Sequence, residues 1–314
     1  MASNNSIREV WNYNISEEID MIYKILPFTP FVSFDTEFPG TIYKPDVPNY
    51  CLTSLPPETN YFYMKANVDA LKLIQFGLTL STFPDPLSGS VRSFVWQFNI
   101  KDFDVDSDVH NSDSIALLKN QGIDFTRNKV DGIDSGLLIS MLTDCGVFGS
   151  KIPHAWITFH GAYDFGFVVK ILTGSPLPSD PITFMVLVRQ IFGESVFDLK
   201  HVMKSFNGLY GGLDKLANTL KVERRSGTQS HQAGSDSLLT MEDSRTFWNN
   251  PQNDVSIATF DLLNYGKLTF FPDLSDEENI YMKDGSIFEP GVMSEMSSII
   301  VSNLNVDHLA RTVS

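Results

Sequence analysis

The run Phe31-Val-Ser-Phe-Asp-Thr-Glu-Phe38, closed by Pro39-Gly40, is rich in apolar and strand-favouring residues and predicts a short buried strand. Side chains alternate faces along a strand, so Asp35 and Glu37 share one face with Ser33 while Val32, Phe34 and Phe38 take the other. Before it, apolar Ile15, Ile19, Ile22, Tyr23 and Leu26 recur at helical spacing, and Asn14 with Glu17 forms a candidate capping box. After it, a turn-rich excursion over 40–57 leads to two strand-like runs, 71–80 and 91–100, which extend the first strand into an antiparallel meander. The pattern then turns helical over 114–120 and 133–145, ending near Gly122 and Gly146. A short strand over 155–160 hands over to a helix whose Phe165, Val168, Val169 and Leu172 share a face. A buried helix over 182–192 begins at Asp180 and Pro181, 195–200 reads as a last strand, and Leu213, Leu216, Ala217 and Leu220 mark another helix. Strands first, then strand and helix in alternation, predict a mixed α/β sheet flanked by helices.

A chain of 314 residues has room for one large domain or two small ones. No window is apolar enough for a bilayer span and the first residues lack a signal-peptide core, so the chain reads as intracellular and soluble, with no membrane partner. Two cysteines, Cys51 and Cys145, build neither a disulfide framework nor a cysteine zinc site, and Cys145 falls on the apolar side of its helix. The net charge of −15 disfavours long, sequence-independent adhesion to nucleic acid or anionic lipid. It leaves room for an enzyme that holds a few nucleotides through bound cations. The alternating Asp102, Asp104, Asp106 and Asp108 resemble a calcium loop, but Ser107 and Asp113 stand where its glycine and glutamate belong, and a solvated acidic loop is expected.

Candidate chemistry starts with Asp35 and Glu37. Burying two like charges side by side is costly, and the cost is removed by a divalent cation between them or by water at an open strand end. Asp164 lies where a strand meets a helix N-terminus, as a functional acid or as a helix cap. In Ser230-His-Gln-Ala-Gly-Ser-Asp236, Ser235 suits a cap and Asp236 the first helical turn, so His231 and Asp236 can face one cleft. A His-x4-Asp spacing alone is common by chance.

In order, Asp-x-Glu, a later Asp and a final His-x4-Asp resemble the DEDD exonucleases of the histidine subclass. The words Phe34-Asp-Thr-Glu-Phe-Pro-Gly40, Ala66-Asn-Val-Asp-Ala-Leu-Lys-Leu-Ile-Gln-Phe-Gly-Leu78, Val95-Trp-Gln-Phe-Asn99, Tyr163-Asp-Phe-Gly166 and His231-Gln-Ala-Gly-Ser-Asp-Ser-Leu-Leu-Thr240 resemble the CAF1, or POP2, poly(A) deadenylases, in wording nearest to plant members. The likeness runs from Ile7 to Thr240, more weakly to Phe271. It implies an RNase H-like exonuclease domain over 1–271 and removal of adenylates from the 3′ end of messenger RNA, while the polar stretch over 272–314 has no counterpart in the family and is expected as a largely disordered tail. Two Mg2+ or Mn2+ ions suit oxygen ligands and phosphodiester hydrolysis. By the resemblance Asp35 bridges the ions, Glu37 and Asp236 complete the first site, Asp164 binds the second, and His231 positions or deprotonates the attacking water. His160 is expected beside the site rather than in it, Phe38 is a candidate for stacking the terminal base, and Arg224 and Arg225 are expected as an exposed, solvated pair. The implied partners are poly(A) RNA, a CCR4-like nuclease and a NOT1-like scaffold, in cytoplasm and nucleus. The alternative is a weakly active adaptor bridging the last two.

The chain departs from that family pattern at Gly161-Ala162, in the lengthened approach 226–230, and after Thr240, where Met241-Glu-Asp-Ser-Arg-Thr-Phe-Trp-Asn-Asn250 has a polar interior before Pro251. The expectation is a crowded turn at Ala162 and weaker helical support behind Asp236.

Overall fold

The computed structural model describes residues 6–47, 55–149, 154–206 and 208–249; the expected tail over 272–314 and Cys51 lie outside them. A short strand β1 (Arg8–Val10) precedes α1 (Ile15–Ile25), β2 (Phe31–Glu37), α2 (Pro57–Ala70), β3 (Gln75–Ser81) and β4 (Ser93–Asn99). Three helices follow, α3 (Ser112–Asn120), α4 (Phe125–Asp131) and α5 (Ser135–Asp144). Then come β5 (Ala155–Thr158), α6 (Ala162–Thr173), α7 (Pro181–Phe192), β6 (Val196–Asp198), α8 (Leu199–Val202), α9 (Leu213–Leu220) and α10 (Ala233–Trp248).

The strands form one six-stranded sheet in the order β1-β4-β3-β2-β5-β6. Antiparallel pairing of β2 with β3 and of β3 with β4 is the expected meander, and β5 and β6 add in parallel beyond β2. The hydrophobic pattern did not disclose β1, which pairs in parallel with β4, α2, which fills the link between β2 and β3, or α4, which lies between the two expected helices. The helix expected from Ile133 starts at Ser135, capped by Asp134, and the last strand stops at Asp198, whose side chain caps α8. The capping box at Asn14 does not form: its Oδ1 accepts from the Trp11 amide at 2.8 Å, and Tyr23 is exposed. Cys145 caps the end of α5, partly buried, and burial pushes its thiol up to about 11. The acidic loop is neutralised internally, with Lys129 on Asp104 at 2.6 Å and Lys72 on Asp108 at 2.8 Å. Among the described residues no helix is long and apolar enough to cross a membrane.

The two faces of the sheet differ in kind. On one, Phe34 packs against Phe76, Trp156, Phe165 and Phe192 at ring distances of 5.7, 5.5, 5.2 and 5.4 Å, which seats α6 and α7. Burial of each such side chain contributes on the order of 2–3 kcal/mol. On the other, small polar residues meet α10: Ser33 Oγ donates to the Ser237 carbonyl at 2.7 Å, and Thr79 shares a hydrogen bond with the Ser237 hydroxyl at 2.9 Å. Gly77 sits opposite Asp35 in the register, and a Cβ there would lie 1.9 Å from the Ala233 carbonyl oxygen. The helix start can press onto the sheet because position 77 has no side chain.

The polar segment after Thr240, expected to weaken the helix behind Asp236, continues α10 to Trp248, and several of its groups find partners. Ser244 Oγ donates to the Met241 carbonyl at 2.8 Å, Arg245 reaches the hydroxyls of Ser81 and Ser93 at 2.9 and 3.2 Å, and Glu242 pairs with Arg225 at 2.8 Å. Met241 and Phe247 are buried. Gly77→Ala is expected to lower the free energy of unfolding by about 1–3 kcal/mol, as overpacking does, read as a lower urea midpoint at unchanged slope; an unchanged midpoint would show that α10 does not press there.

Candidate active site

One strand and two turns deliver the acids to the carboxyl end of β2. Asp35 and Glu37 come from the strand itself, on the face that meets α10. Asn67 of α2 clamps the chain that follows, its Oδ1 accepting from the Ile42 and Tyr43 amides at 2.7 and 2.9 Å.

Asp164 arrives at the third position of α6, with Gly161 rather than Asp164 as the helix cap. It is buried, and Thr36, which points to the opposite face from Asp35, donates a short hydrogen bond to its Oδ1. The turn before it is held by Asp198, which accepts from the His160 and Gly161 amides at 3.1 and 2.8 Å. His160 takes φ 64, a left-handed conformation that costs a side-chain-bearing residue energy and that Asp198 stabilises. Ala162 is buried at the first helical position without the expected crowding; the tight contact falls on Gly161, where a Cβ would meet Thr158 at 2.7 Å.

Asp236 lies in the first turn of α10, and Gln232, not Ser235, is the cap residue. The orphan amides of this helix start are met by side chains from the sheet: Gln75 Oε1 accepts from Ala233 at 3.3 Å and Gln97 Oε1 from Gly234 at 3.1 Å. Gln75 and Gln97 in turn donate to Gln232 Oε1 at 3.2 and 2.8 Å. This lattice of amides registers α10 on β3 and β4. His231, at φ 57, donates its backbone N–H to Asp236 Oδ2 at 3.0 Å and leaves its ring exposed at the rim.

The four expected carboxylates lie near enough for their charges to act on one another, though Asp35 and Asp164 stand outside the group of Glu37, His231 and Asp236 that is within ligand spacing. Burial first, then the charges of Asp164, Asp236 and Glu37, raise Asp35 well above the ordinary carboxylate range; burial, Asp236 and Asp164 do the same to Glu37. Burial pushes Asp164 up to about 7 against the opposing hydrogen bonds from Thr36. Burial also raises Asp236, opposed by Arg224. One ligand atom each of Glu37, His231 and Asp236 lies within 4.8 Å of the others, so the imidazole stands as close to these two acids as a ligand would. An oxygen-rich donor set under mutual repulsion fits a hard divalent cation.

One expectation is corrected. Arg224 and Arg225 are not a solvated pair: Arg224 binds Asp236 at 2.5 Å and Asp214 at 2.8 Å, and Arg225 binds Glu242. Phe38 is only partly free, one face stacked on Tyr163 at 5.1 Å and its edge near Phe167 at 5.2 Å. Asp198, Thr36, Arg224 and the glutamines escaped the sequence reading. Of these Asp198 carried the clearest mark, an acid closing the apolar run Val196-Phe-Asp, the same mark that singled out Asp35.

A mixed sheet of this order, covered by helices and with acids gathered at the end of its central strand, is an RNase H-like α/β fold. The chain belongs to the CAF1 ribonuclease family: the profile of the CAF1 family ribonucleases matches residues 10–134. The probable CCR4-associated factor 1 homolog 7 of Arabidopsis thaliana is 43% identical over 239 residues, covering 74% of this chain and 83% of that one, which agrees with the plant-like wording. The poly(A) ribonuclease pop2 of Schizosaccharomyces pombe is 37% identical over 236 residues, 74% of this chain and 67% of that one. The structure of S. pombe Pop2p in its Mg2+ and Mn2+ bound form superposes with TM-score 0.69 at 34% identity, over 79% of this chain and 94% of that one. Yeast CAF1 co-crystallised with the NOT1 MIF4G domain superposes with TM-score 0.62 at 28% identity, over 81% and 94%.

The raised carboxyls set a pH dependence. Unfolded, Asp164 releases its proton near 3.8; folded, it keeps it until about 7, so metal-free stability falls as pH rises across that window and the penalty is complete above it. Asp243 of α10, pushed up to about 8 by burial and by Glu242, has the same sign over a wider window. In chelator, Asp164→Asn and Asp243→Asn should each unfold at a higher temperature than the parent at pH 8 and at the same temperature near pH 4; equal differences at both pH values would remove protonation as the cause.

Proposed function

We propose that this protein is a 3′-to-5′ exoribonuclease that shortens poly(A) tails with the help of two Mg2+ or Mn2+ ions. The observation that carries the reading is the meeting of Asp35, Glu37, Asp164 and Asp236 at one strand end, each raised in pKa and with Arg224 as the basic group acting on three of them. Paired divalent ions about 4 Å apart supply an activated water and spread the charge of the pentavalent transition state. Asp35, Glu37 and Asp236 would hold one ion and Asp164, its Oδ1 fixed by Thr36, would help to hold the other, with Asp35 shared between them as in the family pattern. His231, exposed at the rim and anchored by its backbone to Asp236, orients the attacking water and takes its proton. Phe38, backed by Tyr163, stacks the terminal base on its remaining surface.

The metal reading is supported by the Mg2+ and Mn2+ bound form of Pop2p, and the substrate by the poly(A) ribonuclease pop2. The co-crystal of yeast CAF1 with the NOT1 MIF4G domain supports membership of a CCR4–NOT-type complex and, as a second reading, a role as adaptor. Retention of the acids favours the enzyme, because a bridge between proteins has no use for carboxylates held in repulsion. Purified protein given 5′-labelled RNA ending in adenosines and Mn2+ should shorten it stepwise from the 3′ end. Chelator should stop the reaction, and Asp35→Ala should slow it by more than about a hundredfold. Shortening that survives both controls would overturn the mechanism; no shortening, with NOT1 MIF4G binding intact, would select the adaptor.

A further inference from the structure

Arg224, in the loop between α9 and α10, is largely enclosed, with 16% of its side chain exposed. Through Nη1 it donates to Asp236 Oδ1 at 2.5 Å and to Ser235 Oγ at 2.6 Å, and through Nε and Nη2 to Asp214 Oδ1 at 3.2 and 2.8 Å. A weaker contact from Nη1 reaches the Gln229 carbonyl at 3.4 Å. Asp214 stands on the solvent side, 57% exposed. The guanidinium is thus shared between a site carboxylate and an outer one. It is charged at every working pH, so it cannot yield by losing a proton.

Asp236 has two oxygens, and both are engaged. Oδ2 accepts the neutral His231 amide, while Oδ1 faces a full positive charge. A divalent ion drawn to Asp236 therefore meets a resident cation at a carboxylate oxygen. Two like charges a few ångströms apart repel, and near a protein surface water screens that repulsion only in part.

We propose that Arg224 is a built-in counter-cation that competes with the divalent ion for Asp236, and that Asp214 sets how hard it competes, so that the pair fixes the metal concentration at which the site fills. The inference rests on the metal-dependent reading of the site. In the metal-free protein Arg224 offsets part of the repulsion among the acids and keeps Asp236 in place. As the ion binds, Asp214 holds the displaced charge, which makes the exchange less costly than expelling an arginine into nothing.

Direct binding separates this from a merely structural arginine. Mn2+ titrated into the full chain without RNA is followed through the electron paramagnetic resonance signal of the free ion, with thermal unfolding in chelator run alongside. Arg224→Gln should fold with a lower melting temperature yet bind Mn2+ about tenfold more tightly. Asp214→Asn, a change at an exposed side chain, should weaken Mn2+ binding about threefold, because the guanidinium then rests on Asp236 alone. Opposite shifts are the expected result. Binding that Arg224→Gln weakens or leaves unchanged, or that Asp214→Asn tightens, overturns the proposal while the metal site stands. A parent protein that binds no Mn2+ overturns the metal reading and this proposal with it.

Discussion

Mutual repulsion among the carboxylates at the end of β2 is the constraint to which the rest of the molecule answers. Like charges brought out of water raise one another's pKa, and here burial and neighbouring acids act in the same direction on Asp35 and Glu37. The fold supplies neutral donors where it can: Thr36 on Asp164, the His231 amide on Asp236. Arg224 adds one charge, not enough to balance four. Non-glycine residues at positive φ stand at both turns that carry acids into the site, His160 before Asp164 and His231 before Asp236, and each turn is held by an aspartate accepting its amide. Strain of this kind persists where the surroundings over-determine it.

That over-determination has two sources, one for each face of the sheet. The aromatic cluster around Phe34 fixes α6, and with it Asp164, by close packing that tolerates little displacement. The opposite face cannot work in this way, because Asp35 and Glu37 already project from it. Here α10 is registered by hydrogen bonds instead, through Gln75, Gln97 and the Ser33–Thr79–Ser237 group, and by the missing side chain at Gly77. Packing is non-directional and hydrogen bonds are directional. The site uses the directional kind where the orientation of a carboxylate, Asp236, must be set.

This division explains what the sequence disclosed. Strand β2, helices α6, α7 and α9 and the meander carry strong local periodicity, and acids inside an apolar run are conspicuous, so Asp35 and Glu37 stood out from neighbouring residues alone, while Asp164 read equally as a helix cap until the family words were set beside it. Helix α2 did not, because its buried positions include Asn67 and its exposed ones include Phe62, which blurs the apolar stripe. Strand β1 has three residues, too few for a period to register. Arg224, Gln75 and Gln97 are ordinary polar residues whose roles depend on partners 12, 158 and 137 positions away. No local rule contains those distances, so Arg224 and Arg225 read as solvated when both are paired.

The segment after Thr240 tests how far a local misfit propagates. Among its described residues the buried group without a hydrogen-bond partner is Asp243, fully buried, with neither carboxylate oxygen hydrogen-bonded. An ionised carboxylate left so would be costly enough to break the helix. Its pKa, pushed up to about 8, means that it stays largely protonated at neutral pH, and the cost becomes that of an unpaired neutral acid, roughly 1–3 kcal/mol. Helix α10 absorbs this because it is held to the sheet on both sides of Asp243, at Gln75, Gln97 and Gly77 near its start and through Arg245 on Ser81 and Ser93 beyond. The misfit therefore falls on global stability and its dependence on pH, and the placement of Asp236, fixed by the amide lattice and by Arg224, is insulated from it.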